Sequence, residues 1–294
     1  MLALIVGRGA LPQAVAAAQA EPPLVCALDG HVPDDLPVDM YFSVERLGGF
    51  LHRLRKLDIT QVCFCGAIER PKLDMKKLDA RTLTLLPALS KAIGGGEDSA
   101  LRIVLGIFEQ KGFEIKGAHE LAPNLLLARG VPTRVQTPSD ILQSAQVADA
   151  VLQEQARQDL GQCCVVVGTD VTAREGRAGT DAMLRDLTRR RPASDDPFGA
   201  ALDMVGDALD MAADWLSGPE AEARASARRG VMFKAPKPGQ DLRADLPTIG
   251  PSTAQAAAQA GLAGLVIAAG GVMVLDQPRT LEILDAAGMF LWVR

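Results

Sequence analysis

Three short runs near the start of the chain, Leu-Ala-Leu-Ile-Val at residues 2–6, Leu-Val-Cys-Ala-Leu at 24–28 and Val-Cys-Phe-Cys at 62–65, offer no polar face to water. A half-solvated strand alternates polar and apolar side chains. A strand that does not alternate must be covered on both sides, as in a parallel sheet flanked by helices. Helix-forming segments separate the runs: residues 13–20, and 45–55 with Leu47, Leu51 and Leu54 on one face. The expected fold class is therefore α/β. Its ligand edge should lie at the carboxyl ends of the strands, where Gly7, Gly9, Gly66 and Arg70 fall.

Further on, residues 79–92 and 100–111 repeat leucine and alanine at helical spacing, with Gly94-Gly95-Gly96 between them as a phosphate wrap or a hinge. A fourth strand is expected at 113–118, with His119 just beyond it. Prolines 123, 132 and 138 mark a change of register, so two domains are read, 1–133 and 139–294. In the second, Ser139-Asp140 should cap a helix at 141–158, and strands are expected at 162–167 and 231–233. A helix should start near Ala182, and Ser252-Thr253 should cap another at 254–260. The end reads as a meander, 264–268, 271–275 and 289–293, with a helix at 279–287. Residues 189–228, alanine-rich around Trp215, read as a helical insertion on the surface or a self-association element.

Composition excludes several classes of function. With 31 Lys and Arg against 36 Asp and Glu, interspersed, the chain lacks the basic field that nucleic-acid binding requires. The five cysteines, Cys26, Cys63, Cys65, Cys163 and Cys164, lack Cys-x-x-Cys spacing and sit mostly in apolar runs, as reduced core thiols would. The expected compartment is the cytoplasm. No apolar run approaches the roughly 18 residues of a membrane span, and the start has no signal-peptide pattern. Gly7-Arg8-Gly9-Ala10-Leu11-Pro12 opens a strand–turn–helix unit, but Pro12 stands where a dinucleotide fingerprint needs its third glycine. A nicotinamide-dependent oxidoreductase is accordingly disfavoured, while a mononucleotide or sugar site is not.

Chemistry concentrates in residues 234–251, Lys-Ala-Pro-Lys-Pro-Gly-Gln-Asp-Leu-Arg-Ala-Asp-Leu-Pro-Thr-Ile-Gly-Pro. Four prolines and two glycines exclude a regular helix or central strand. Lys234, Lys237, Asp241, Arg243 and Asp245 form the mixture of cations and carboxylates that a metal-assisted phosphate site uses. Asp241 and Asp245 lie four apart outside any helix, so metal ligation, water activation and a salt bridge to Arg243 or Lys237 all fit them. Asp181 follows Gly179-Thr180 at a helix start, which also suits a dipole-favoured cap. His119 suits a substrate contact or a capping or packing role.

Together with Gly112-Phe113-Glu114-Ile115-Lys116-Gly117-Ala118-His119-Glu120, Asp159-Leu160-Gly161-Gln162, Gly66-Ala67-Ile68-Glu69-Arg70-Pro71 and Gly179-Thr180-Asp181-Ala182-Met183, these stretches give the chain a near end-to-end likeness. It resembles the LpxI-type UDP-2,3-diacylglucosamine pyrophosphatases of lipid A biosynthesis in Gram-negative bacteria. The resemblance implies an N-terminal Rossmann-like domain with a parallel sheet and a C-terminal catalytic α/β domain of different topology. It also implies Mg2+-assisted hydrolysis of UDP-2,3-diacylglucosamine to lipid X and UMP, with attack on the phosphorus nearer the sugar. Carried onto this sequence, the catalytic candidates are Asp241, Asp245, Lys237 and Arg243. The metal candidates are Asp241 and Asp181. Substrate binding would fall to Gly7, Gly9, Leu11, Pro12, Gly66, Arg70, His119, Gly179, Thr180, Asp181, Lys234 and Gln240. Expected partners are the acylated sugar nucleotide, its lipid X product, the inner membrane surface as a peripheral contact and a second copy in a homodimer. A non-catalytic carrier for the same ligand is the rival reading. The chain departs from the family pattern at Ala178, where many members carry Glu before Gly-Thr-Asp.

Overall fold

The computed structural model describes residues 1–69, 71, 73–94, 96–190 and 230–294. They fall into two compact units: Met1–Leu125 with Gly239–Leu246, and Leu126–Pro238 with Pro247–Arg294. Arg70, part of the triple glycine and most of the expected 189–228 insertion, Trp215 included, lie outside the described residues.

The first unit is built on a five-stranded, all-parallel sheet in the order β3-β2-β1-β4-β5. Its strands are β1 (Leu2–Val6), β2 (Leu24–Leu28), β3 (Met40–Phe42), β4 (Gln61–Cys65) and β5 (Glu114–Lys116). In the central strand Ile5 stands level with Cys26 on one side and Phe64 on the other. Residues 3–6 are at most 1% exposed, the two-sided burial that the unbroken apolar runs require. Helices α1 (Leu11–Ala17), α2 (Leu47–Lys56), α3 (Ala80–Leu83), α4 (Leu86–Gly94), α5 (Glu97–Gln110) and α6 (Ala118–Leu121) connect the strands. Phe50, Leu54, Leu89, Leu105, Phe108 and Phe113 form the core against Ala3, Ile5 and Val62.

In the second unit the sheet is mixed, in the order β12-β10-β8-β6-β7. Here β8 (Val231–Lys234), β10 (Gly264–Ile267) and β12 (Phe290–Val293) are parallel, whereas β6 (Cys163–Val167) runs antiparallel to β8 and to β7 (Asp170–Arg174). Helices α7 (Ile141–Arg157), α8 (Gly179–Arg190), α9 (Pro251–Gln259) and α10 (Gln277–Ala286) complete it. Met232, Leu265, Leu284 and Leu291 are in the main core; Ile141, Ala148, Phe233 and Phe290 make a second cluster.

Several elements differ from the sequence expectation, each for a local reason. The helix expected at 79–92 is two helices, because Pro87 lacks an N–H and is accommodated in the first turn of a new one. Likewise α9 begins at Pro251 with Gly250 as its N-cap, which moves Ser252 and Thr253 inside the helix. Asp140 precedes α7 without a side-chain cap bond. The expected terminal meander is instead a parallel pair, β10 and β12, joined through α10, while β11 (Met273–Val274) pairs with β9 (Thr248–Ile249) in a separate two-stranded sheet. His119 lies within α6, and β3 and β7 were not anticipated.

All five cysteines are free and buried. Burial pushes the Cys26 and Cys164 thiols up to about 12, so they remain protonated near neutral pH as core groups. Among the described residues no helix is long and apolar enough to cross a membrane.

Gly264, which opens β10, shows how closely this core is fitted. A Cβ there would sit 2.5 Å from the ring of Phe290, which is 1% exposed. Gly264→Ala is expected to lower stability by about 1–3 kcal/mol through overpacking. A urea midpoint equal to that of the parent chain would show that the ring has room to move.

Candidate functional site

At the carboxyl ends of β1 and β4, the glycine turns are locked together by backbone. Gly7 N donates to Cys65 O at 2.9 Å, and Arg8 and Ala67 exchange two hydrogen bonds of 2.9 Å. A Cβ on Gly7 would lie 2.3 Å from Ala67 O, and one on Gly66, whose φ is +89°, would lie 2.8 Å from Gly7 O and Pro12 Cγ. Close backbone approach therefore explains Gly7 and Gly66, and Pro12 is buried in the first turn of α1 beside them. Gly9, at φ +96°, directs its N–H to Asp34 Oδ2 at 3.0 Å. The donor that a phosphate would use is thus taken by a carboxylate. Leu11 is half-buried at the start of α1, a helix of only seven residues.

The charged stretch 234–251 is divided between the units. Gln240, Asp241, Arg243 and Asp245 belong to the first, and Lys234 and Lys237 to the second. In the first, Arg243 forks onto Asp241: Nε donates to Oδ1 at 2.9 Å and a terminal nitrogen to Oδ2 at 2.7 Å. Its backbone N–H also donates to Oδ1, at 3.1 Å. The remaining arm of the guanidinium reaches Glu109 on α5 at 2.7 Å. Arg102 of the same helix donates to Gly239 O at 2.6 Å, and Ala244 packs against the core of this unit. Gln240 donates to Asp245 Oδ2 at 2.5 Å. His119 Nδ1 is buried and finds no hydrogen-bond partner, and its ring crowds Gly117, whose position also approaches the Arg243 backbone.

In the second unit, Lys237 is paired with Asp159 at 2.8 Å. Lys234, at the end of β8, is buried and donates to Thr180 Oγ1 at 2.9 Å; Thr180 in turn donates to Glu175 Oε1 at 2.7 Å. Gly179 starts α8 at φ +83°, and Asp181 is exposed in the first turn. Glu175, Glu109, Arg102 and Asp34 were not singled out in the sequence. Only Glu175 carried a local signal, an acidic residue between a β-prone run and the Gly179-Thr180-Asp181 motif.

Among the described residues no group of three or more His, Cys, Asp or Glu side chains could cage a metal. Asp241 Oδ1 accepts two hydrogen bonds and Oδ2 one, which leaves Oδ2 a lone pair toward a cation. That donor set fits Mg2+, which commonly takes one or two protein carboxylates and fills its shell with water and phosphate oxygens.

The Arg243 guanidinium holds the Asp241 carboxyl below the usual aspartate range, against the opposing effect of burial. A lowered folded-state pKa contributes stability that is present above the ordinary value of 3.8 and is lost as pH falls through the lower folded value. Asp241→Asn should therefore sit furthest below the parent in Tm above about pH 4 and converge with it on acidification. Parallel Tm curves down to strongly acid pH would show that the fork contributes no linked stability.

Comparison with known proteins covers both units. The family description "LpxI N-terminal domain" matches residues 1–125, and "LpxI C-terminal domain" matches residues 128–292. The chain is 36% identical over 296 aligned residues to the UDP-2,3-diacylglucosamine pyrophosphatase LpxI of Caulobacter vibrioides, covering 99% of this chain and 96% of that protein.

Proposed function

Because the chain belongs to the LpxI family, we propose that it hydrolyses the pyrophosphate of UDP-2,3-diacylglucosamine to lipid X and UMP. The observation that carries this reading is a match running through both units to a relative named for that activity, with identity spread over 99% of the chain. Under it, the first unit is a Rossmann-like domain, and Lys234 and Lys237 lie in the second. The reaction would belong to lipid A biosynthesis in the cytoplasm.

Asp241 is the principal candidate for an essential carboxylate. Its depressed pKa suits a group that stays ionised and holds a cation, and does not suit a base that must take a proton from water near neutral pH. Mg2+, when bound, would offset phosphate charge and lower the pKa of a water. Asp241 would hold it through the remaining Oδ2 lone pair, with Asp181 the second candidate. Arg243 keeps Asp241 charged and orients it, while Glu109 fixes Arg243 from the other side. In the second unit Lys234 and Lys237, and separately Arg243 in the first, are the candidates to offset charge on phosphate oxygens. In the overall step a water oxygen bonds to phosphorus, the bridging P–O bond breaks, and the departing oxygen leaves on the other phosphate.

Purified protein is incubated with UDP-2,3-diacylglucosamine in 18O-water, with Mg2+ or with chelator, and the products are followed by mass spectrometry. Release of UMP and lipid X that stops with chelator is the expected result, with the heavy oxygen in lipid X if the sugar-side phosphorus is attacked. Substrate that binds but stays intact would favour the carrier reading, and absence of binding would overturn the assignment. Asp241→Ala should retain fold and substrate binding and lose about 10²- to 10³-fold in kcat. A fully active variant would remove Asp241 from the mechanism.

A further inference from the structure

The proposed reaction does not by itself account for a second acidic centre, the buried carboxylate of Glu175. At 7% exposure it is among the most enclosed charged side chains described, and the two groups linked to it, Thr180 and Lys234, are each 8% exposed. Three polar side chains so enclosed are costly to desolvate unless each finds a partner. Here they do. Glu175 Oε2 accepts from Gln162 N at 2.6 Å and Oε1 accepts from Thr180 Oγ1 at 2.7 Å, and Thr180 Oγ1 accepts from Lys234 Nζ at 2.9 Å.

The polarity of this chain is fixed by chemistry. An ammonium can only donate and a carboxylate accepts, so the single proton of Thr180 is committed to Glu175 and its oxygen is turned toward Lys234. Thr180 is therefore not available to donate to a phosphate oxygen while the chain is intact. Its hydroxyl links a negative group to a positive one, so that both buried charges are compensated without direct contact.

A dedicated cradle surrounds the carboxylate. At Gly161 a Cβ would lie 2.3 Å from Glu175 Cγ and 2.7 Å from Oε2, so the position accommodates glycine alone without displacing the acid. Gln155, 1% exposed on α7, donates to the carbonyls of Gly161, Cys163 and Glu175 at 3.2, 3.3 and 3.1 Å. The Asp159-Leu160-Gly161-Gln162 motif thereby has a physical purpose: Gly161 makes room for Glu175 and Gln162 supplies its second hydrogen bond.

We infer that Glu175 is a positioning residue, which acts through the Thr180 hydroxyl to orient the buried Lys234 ammonium toward a phosphate-bearing substrate. This rests on the proposed pyrophosphatase reading for the identity of the substrate, but the hydrogen-bonded chain stands on its own distances. Glu175 is the acid hydrogen-bonded to this turn, through the Thr180 hydroxyl.

The test compares E175Q, T180V, T180S and the E175Q/T180V pair in the full-length protein. Circular dichroism and thermal melting monitor the fold; kcat and KM are measured on UDP-2,3-diacylglucosamine. E175Q should remain folded, leave KM nearly unchanged and lose about 10- to 10²-fold in kcat, the scale of a misplaced reacting group. Its effect should largely disappear in the T180V background, since both act through one chain. T180S, which keeps the hydroxyl, should retain more of the parent kcat than T180V does, and this holds the inference open to test even if E175Q fails to fold. A parent-like kcat for E175Q, full additivity with T180V, or equal losses in T180S and T180V would overturn it. A second readout needs no turnover: the 15Nζ–H NMR signal of Lys234, assigned by its loss in K234R, should exchange slowly with water in the parent and faster in E175Q and T180V. If the parent does not cleave the sugar nucleotide, the functional reading fails while this signal still decides the positioning of Lys234. Unchanged exchange in E175Q would overturn the positioning role.

Discussion

Two-sided burial of the parallel strands is the constraint to which most other features of this protein respond. Residues 3–6 and the cysteines of β2, β4 and β6 are buried, which leaves no place for an unpaired charge at those positions. Polar groups are displaced to strand ends and loops. Lys234 stands at such a strand end, the last residue of β8, yet is buried, and it is tolerated because Thr180 and Glu175 extend a compensating chain to it.

Charge also does the structural work where regular structure is excluded. The Gly239–Leu246 loop makes a single turn of its own, with Ala244 and Asp245 N–H donating to Asp241 O at 3.1 and 3.3 Å, and side chains tie that turn down. Arg243 closes on Asp241 within the loop and reaches Glu109 outside it, Arg102 takes the Gly239 carbonyl, and Ala244 adds an apolar contact. The same guanidinium that shapes the loop keeps Asp241 ionised, so conformation and electrostatics at this carboxylate have one cause.

What could be read from the sequence followed from how local each cause is. Apolar runs such as 2–6 and 24–28 announce buried strands because burial on both faces leaves its mark on every residue. Helix starts were less legible: Pro87 and Pro251 begin helices by their missing N–H, whereas Ser252 and Thr253 resemble caps and are not. The short strands β3 and β7 lie at sheet edges, where half-exposed residues such as those of Asp-Val-Thr-Ala-Arg carry little apolar signal. Among the candidate residues of the two units, Asp241, Arg243, Thr180 and Lys234 stood out by composition and motif. Of their partners, Glu109 acquires meaning only from a contact 134 positions along the chain, whereas Glu175, five positions before Thr180, had a local signal in its place beside the Gly179-Thr180-Asp181 motif.

The grouping of Gly239–Leu246 with the first unit has a consequence for how the protein can change. The chain passes between the units at Leu125–Leu126, again at Pro238–Gly239 and again at Leu246–Pro247. A fragment ending at Leu125 would lack the loop that Arg102 and Glu109 receive, and a hybrid joined at that point would pair one protein's seat with another's loop. The two units are thus not interchangeable modules. Glu109 and Arg243, 134 positions apart in sequence, belong to one unit and would have to be transferred together to keep their contact.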